Sequence, residues 1–137
     1  MTPEADSLTR GSRVPHVRVR RLDGTAFDYG QIWQRANLLL VAVPEAAGTA
    51  ADADDVAWLE ALDGARPTLE AYEAVVVVTR EPVPGLAGPG VVVADRWGEV
   101  AFVETAPRVA ALPPLVTLAE WLRFVDHACP ECEGEAR

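Results

Sequence analysis

A chain of 137 residues, half of them apolar and 24% charged, is long enough to bury a core without disulfides and lies outside the low-hydrophobicity range of disordered chains. Its formal charge is −9, with twelve arginines and no lysine; that balance repels phosphate backbones and anionic bilayers, so no nucleic-acid or membrane partner is expected. The opening stretch MTPEADSLTRGSR has no apolar core of the kind a secretory signal needs, and no run reaches the length of a membrane span, so a soluble cytoplasmic protein is expected.

Residues 1–12 are small, polar and charged and read as a loose leader to a domain over 13–128. From Val14 to Leu22 the order Val17, Arg18, Val19, Arg20 places valines on one face and arginines on the other, the pattern of a half-buried strand. Asp23-Gly24 signals a hairpin turn, with Thr25 to Phe27 returning and a short helical piece around Tyr29 to Arg35. Leu38 to Val43 is a continuous apolar run, as a central strand covered on both faces requires. After PEAAG, Thr49 or Asp52 suits a helix cap, Asp54 and Asp55 suit the positive end of the dipole, and Gly64 marks the expected close. Val56, Leu59 and Leu62 fall on one stripe of that helix.

Val75 to Thr79 reads as a second buried strand, ended by the Pro- and Gly-rich loop EPVPGLAGPG. VVVADRWGEVAFV then reads as two strands joined by a turn at Asp95 to Gly98. In the last helix Thr117 and Glu120 have capping-box spacing, and Leu118, Leu122, Val125 and Cys129 share a face. Trp33, Trp58 and Trp121 fall in helical patterns and are expected in the core. Trp97 suits an interface or a sheet edge equally. The acidic group Asp52, Asp54 and Asp55 is explained by capping with less than a divalent cation would need.

The only two cysteines, Cys129 and Cys132, form a CPEC unit in a tail over 129–137. Three readings stand open: a redox or resolving dithiol, half of a zinc site completed by His127, His16, a glutamate or a second chain, and an inert tail. The surroundings disfavour a fast thiolate, because a helix C-terminus and Glu131, Glu133 and Glu135 all raise a thiol pKa. His127, when protonated, is the one opposing influence nearby.

The order of hairpin, strand, helix, strand, hairpin, helix resembles the thioredoxin fold, in the redoxin branch that contains peroxiredoxins and thioredoxin-like oxidoreductases. GSRVPHVRVRRLDGTAF resembles that family's opening. ANLLLVAVPEAAGTAADADDVAWLEAL resembles its central strand, active-site loop and first long helix, and PGVVVADRWGEV its Pro, strand, D-x-x-G turn and strand. The resemblance implies an α/β chain with a central mixed sheet flanked by helices and an N-terminal β-hairpin. It makes Pro89 a candidate cis-proline. It also exposes a departure: where thioredoxin-like enzymes carry C-x-x-C and peroxiredoxins a cysteine within P-x-x-x-[T/S]-x-x-C, this chain runs Pro44-EAAG-Thr49-AA-Asp52, with no cysteine. Pro89 occupies the place of an arginine that peroxiredoxins use.

The resemblance therefore implies a redoxin whose standard site, at Pro44, Thr49 and Asp52, is degenerate. It needs no cofactor, zinc excepted if CPEC holds one. Two functions follow from different classes: residual thiol–disulfide exchange through Cys129 and Cys132 with a protein disulfide partner, or a non-catalytic binding and assembly module. A homodimer fits either, because this fold often uses its sheet edge.

Overall fold

A computed structural model describes residues 7–44 and 53–127. The elements follow the alternation of apolar residues along the chain. Strand β1 (Arg18–Arg20) buries Val19 between two exposed arginines and pairs antiparallel with β2 (Ala26–Asp28), which buries Phe27. Asp23 and Gly24 make the turn as expected: the Asp23 carboxylate accepts from the Thr25 N–H at 2.9 Å and hydroxyl at 2.6 Å, and Gly24 takes φ +90°. The expected short helical piece follows as a 3-10 helix over Tyr29–Gln31, capped by Asp28, whose side chain accepts from the Gly30 N–H.

β3 (Asn37–Ala42) is buried at every position and forms the centre of a four-stranded mixed sheet. It pairs parallel with β4 (Ala74–Thr79) and antiparallel with β5 (Gly90–Ala94), and β5 pairs antiparallel with β6 (Val100–Thr105), giving the order β4-β3-β5-β6. Leu39, Val41 and Val43 point to one face, which is covered by α1 (Ala53–Glu70) and α2 (Leu115–His127); Leu38, Leu40 and Ala42 point to the other, covered by the β1–β2 hairpin, Tyr29 and the loop at Val83 and Leu86. Period-2 side chains on a strand buried on both faces explain why its sequence shows no alternation.

Several expectations are corrected. The first long helix does not close at Gly64 but continues through Pro67 to Glu70, because Leu69 is buried in the helix-side core one turn beyond. Val56 is 38% exposed; the buried side of α1 is set by Leu62 and Leu69, with Trp58 and Leu59 packed against the core. α2 starts at Leu115, directly after Pro114, so Thr117 lies in its first turn rather than at its cap. Trp33 is exposed rather than core, its indole N–H donating to the Trp97 carbonyl at 3.1 Å, while Trp58 and Trp121 are only half-buried. Residues 8–12 are tied to the body through Leu8 N–H to the Gly85 carbonyl and Gly11 N–H to the Val100 carbonyl, both 2.8 Å, so the looseness assigned to the leader does not extend to them.

Candidate functional site

β3 carries the chain to Pro44 at the carboxyl end of the sheet, the end at which open α/β sheets place their sites. There the Val43 N–H donates to the Thr79 carbonyl at 2.8 Å, which holds the strand's exit against the end of β4. Thr79 is itself buried, and its hydroxyl donates to the Arg20 carbonyl at 2.8 Å and accepts from the Glu81 N–H at 3.0 Å. The Glu81 carboxylate in turn accepts from the Arg20 N–H, so the hairpin is strapped across this end of the sheet. Pro44 is exposed. Thr49 and Asp52, the other two positions expected of a degenerate site, lie outside the described residues.

The chain resumes at the first turn of α1, where Asp54 and Asp55 complement the dipole. Asp55 does more than its position in the sequence implied. Its Oδ1 accepts from the Ala110 N–H at 2.9 Å and lies 3.5 Å from the Arg108 Nε, fastening the start of α1 to a 3-10 turn over Val109–Ala111. Arg108 thus brings a cation to this helix start from the loop after β6, where ETAPRVA carries no motif that would single it out.

Pro89, at the entry to β5, lies at the same end of the sheet, since Ala42 pairs with Gly90. The expectation of a cis bond is overturned: no peptide bond among the described residues is cis. Gly88 makes the turn with φ +57°, and the Pro89 carbonyl accepts from the Ala106 N–H at 2.9 Å, so the loop enters β5 with the intrinsically preferred trans bond. Gly90 is closely packed for a different reason. A Cβ there would stand 2.7 Å from Leu86 Cδ1, which covers the strand's start.

Cys129 and Cys132 lie outside the described residues, but the helix that leads to them is described as far as His127. Its last turn sits at the opposite end of the sheet from Pro44. Arg96, in the turn after β5, lies 3.8 Å from Asp126 Oδ1 and 3.5 Å from Glu73 Oε2, and Ala94 pairs with Leu38 at the start of β3. The length of β3, roughly 20 Å for six extended residues, separates that pole from Pro44.

The same pole holds the Asp95–Gly98 turn, in which Asp95 Oδ1 accepts from the Trp97 N–H at 2.9 Å and the Glu99 N–H at 3.0 Å. Gly98 takes φ +84°, and a Cβ there would stand 3.1 Å from the Tyr29 hydroxyl, so this turn admits only glycine comfortably. Burial pushes the Tyr29 phenol up to about 12, reinforced by the negative charge of Asp95. His16, named as a zinc ligand, instead meets Tyr29 and Trp33 edge to face at centroid distances of 5.3 and 5.2 Å. No group of three His, Cys, Asp or Glu side chains gathers among the described residues, and these lend zinc no ligand set. No described helix is long and apolar enough to cross a membrane.

No family model and no curated protein matches the sequence. Solved structures do match the fold. A reduced 2-Cys peroxiredoxin of Plasmodium vivax superposes with a TM-score of 0.62 at 13% identity, over 85% of this chain and 80% of that one. The AhpC of Mycobacterium tuberculosis gives 0.61 at 11% identity, over 92% and 98%. A peroxiredoxin-like protein from Aquifex aeolicus gives 0.52 at 14%, over 90% of each. These likenesses establish the fold alone: the chain has the thioredoxin-like fold, in the form shared by the peroxiredoxins.

Proposed function

We propose that this is a peroxiredoxin-like protein whose standard active site is degenerate and that its chemistry is thiol–disulfide exchange through Cys129 and Cys132. The observation that carries the reading is the separation between Pro44 and the described end of α2 at His127. The stretch from Pro44 to Asp52 holds no cysteine, and the chain's only two cysteines follow in sequence after α2, whose described end at His127 lies at the other end of the sheet from Pro44. The pair then serves as a second, separate dithiol rather than as a stand-in for the missing one. In the exchange a thiolate of the pair attacks a partner protein's disulfide, one partner sulfur leaves as a thiol, and the second cysteine closes the ring and releases the other. Two electrons and two protons pass to the partner. The acidic tail and the helix C-terminus make this exchange slow at neutral pH, which suits a resolving or electron-supplying role better than a peroxidase.

Replacing both cysteines by serine tests the reading. Oxidised with glutathione disulfide, the wild-type protein should lose two hydrogens by intact mass; in its reduced form it should reduce a model protein disulfide, and the double variant should do neither. A wild-type mass unchanged by oxidation, or exchange that survives in the variant, would overturn it and leave the non-catalytic module. The same reading includes a homodimer formed along β6, whose outer edge has no strand partner among the described residues beyond Val100.

A further inference from the structure

A half-open groove of about 650 Å3 runs between the β1–β2 turn and the flank of α1, within the roughly 300–1,000 Å3 range of small-molecule sites. Its floor is apolar, formed by Leu62 and Val78, both buried. Its two banks present apolar side chains that folding has left uncovered: Leu22, 44% exposed, on the hairpin turn, and Val56, 38% exposed, on the helix. Large hydrophobic side chains facing each other across a groove lose water only when something lies between them.

The charges along the groove are unevenly satisfied. Asp23 is held by the Thr25 amide and hydroxyl, and these hydrogen bonds keep its carboxyl below the usual range. Asp63 lies 3.7 Å from the Arg66 Nε, and Arg66 also donates to the Val76 carbonyl at 3.3 Å. Arg21 is fixed in place by the Thr25 hydroxyl at 3.3 Å, the Ala26 carbonyl at 3.2 Å and the Phe27 ring at 5.1 Å, all uncharged partners. Among the described residues no carboxylate lies within ion-pairing distance of Arg21 or Arg80. In a chain of charge −9, two guanidinium groups without carboxylate partners among the described residues on one groove are a distinctive arrangement.

We propose that this groove binds an amphipathic monocarboxylate, its head shared by Arg21 and Arg80 and its aliphatic chain laid between Leu22 and Val56. The guanidinium fork matches a carboxylate in two parallel hydrogen bonds. A phosphate, carrying more charge, would meet greater repulsion from Asp23, Glu60 and Asp63 on the same walls, which disfavours a dianion. The proposal uses neither cysteine and stands apart from the redox reading.

The test is titration of the full-length protein with octanoate, followed by calorimetry and by amide chemical shifts, beside 1-octanol, acetate and inorganic phosphate as separate arms. Saturable one-site binding of octanoate is expected, with shifts centred on residues 21–23, 56–63 and 80, and with no saturation by acetate or phosphate over the same range. Arg80→Gln should weaken octanoate by roughly tenfold; Arg80 is exposed and supports no described contact, so the variant keeps its fold. Equal binding of octanol, equal binding of acetate or phosphate, shifts centred elsewhere, unchanged affinity in Arg80→Gln, or no saturation at all would each overturn the proposal.

Discussion

Tyr29 sets packing against hydrogen bonding at a single residue. Its ring is fully enclosed, yet its hydroxyl has no hydrogen-bond partner among the described residues. The folded protein therefore favours the neutral phenol and raises its pKa to about 12 from an ordinary value of 10.0. A raised folded-state value contributes stability that is complete below the unfolded value and is lost as pH climbs through the folded one, here between about pH 10 and 12. Tyr29→Phe removes the polar atom and keeps the ring. At neutral pH the variant should be at least as stable as the wild type, with a gain of up to about 1 kcal/mol, because an unpartnered buried hydroxyl is a net cost. Above about pH 10 it should lack the alkaline decline that the wild type shows, by an amount on the order of 2 kcal/mol. Urea melts of both proteins at neutral pH and near pH 11 measure the two effects. A marked loss at neutral pH would mean that the hydroxyl is held by a bond after all.

At the scale of elements, Gly64 shows how a local signal yields to packing. A glycine after an apolar stripe predicts a helix end, yet Leu69 draws the chain through another turn and a half, and Pro67 is carried inside the helix despite its missing N–H. Gly64 is exposed in a helix interior with open space where a Cβ would stand, so Gly64→Ala should raise stability by about 0.5–1 kcal/mol. An unchanged or lowered denaturation midpoint would show that α1 is already broken there. The elements legible in the sequence are those whose signal is chemical and local: the valine–arginine alternation of β1, the Asp-Gly and Asp-x-x-Gly turns, and the uninterrupted runs of β3, β4 and β5. α2 starts ahead of the cap that Thr117 offers, because Pro114 already makes that cap unnecessary. Trp33 departs from the core because its helical pattern spans a turn that presents the indole to the Trp97 carbonyl at the surface.

For the whole molecule, the candidate site divides in the same way. The absence of a cysteine between Pro44 and Asp52 is plain from the residues, whereas the distance from Pro44 to the described end of α2, and the return of Arg108 onto α1, arise only from the crossing of the chain. Assembly is the remaining consequence of that crossing. It leaves β6 at the sheet edge beside an aromatic ladder in which Trp121 stacks on Phe102 at 5.2 Å and meets Phe124 edge-on at 5.6 Å, with Phe124 half exposed. An open edge pairs most economically with its own copy, since an antiparallel twofold contact satisfies both edges at once and leaves none for further growth. Two chains of charge −9 repel each other, and the screening length falls from about 8 Å at 0.15 M salt to about 3 Å at 1 M. The β6 dimer proposed above should therefore tighten as salt rises, and Phe124→Glu should loosen it by adding charge to the patch that pairing would cover. Sedimentation velocity across a salt series reads both effects. A protein that stays monomeric at every salt concentration removes the β6 interface, and a dimer that weakens with salt would place its contacts on paired charges instead.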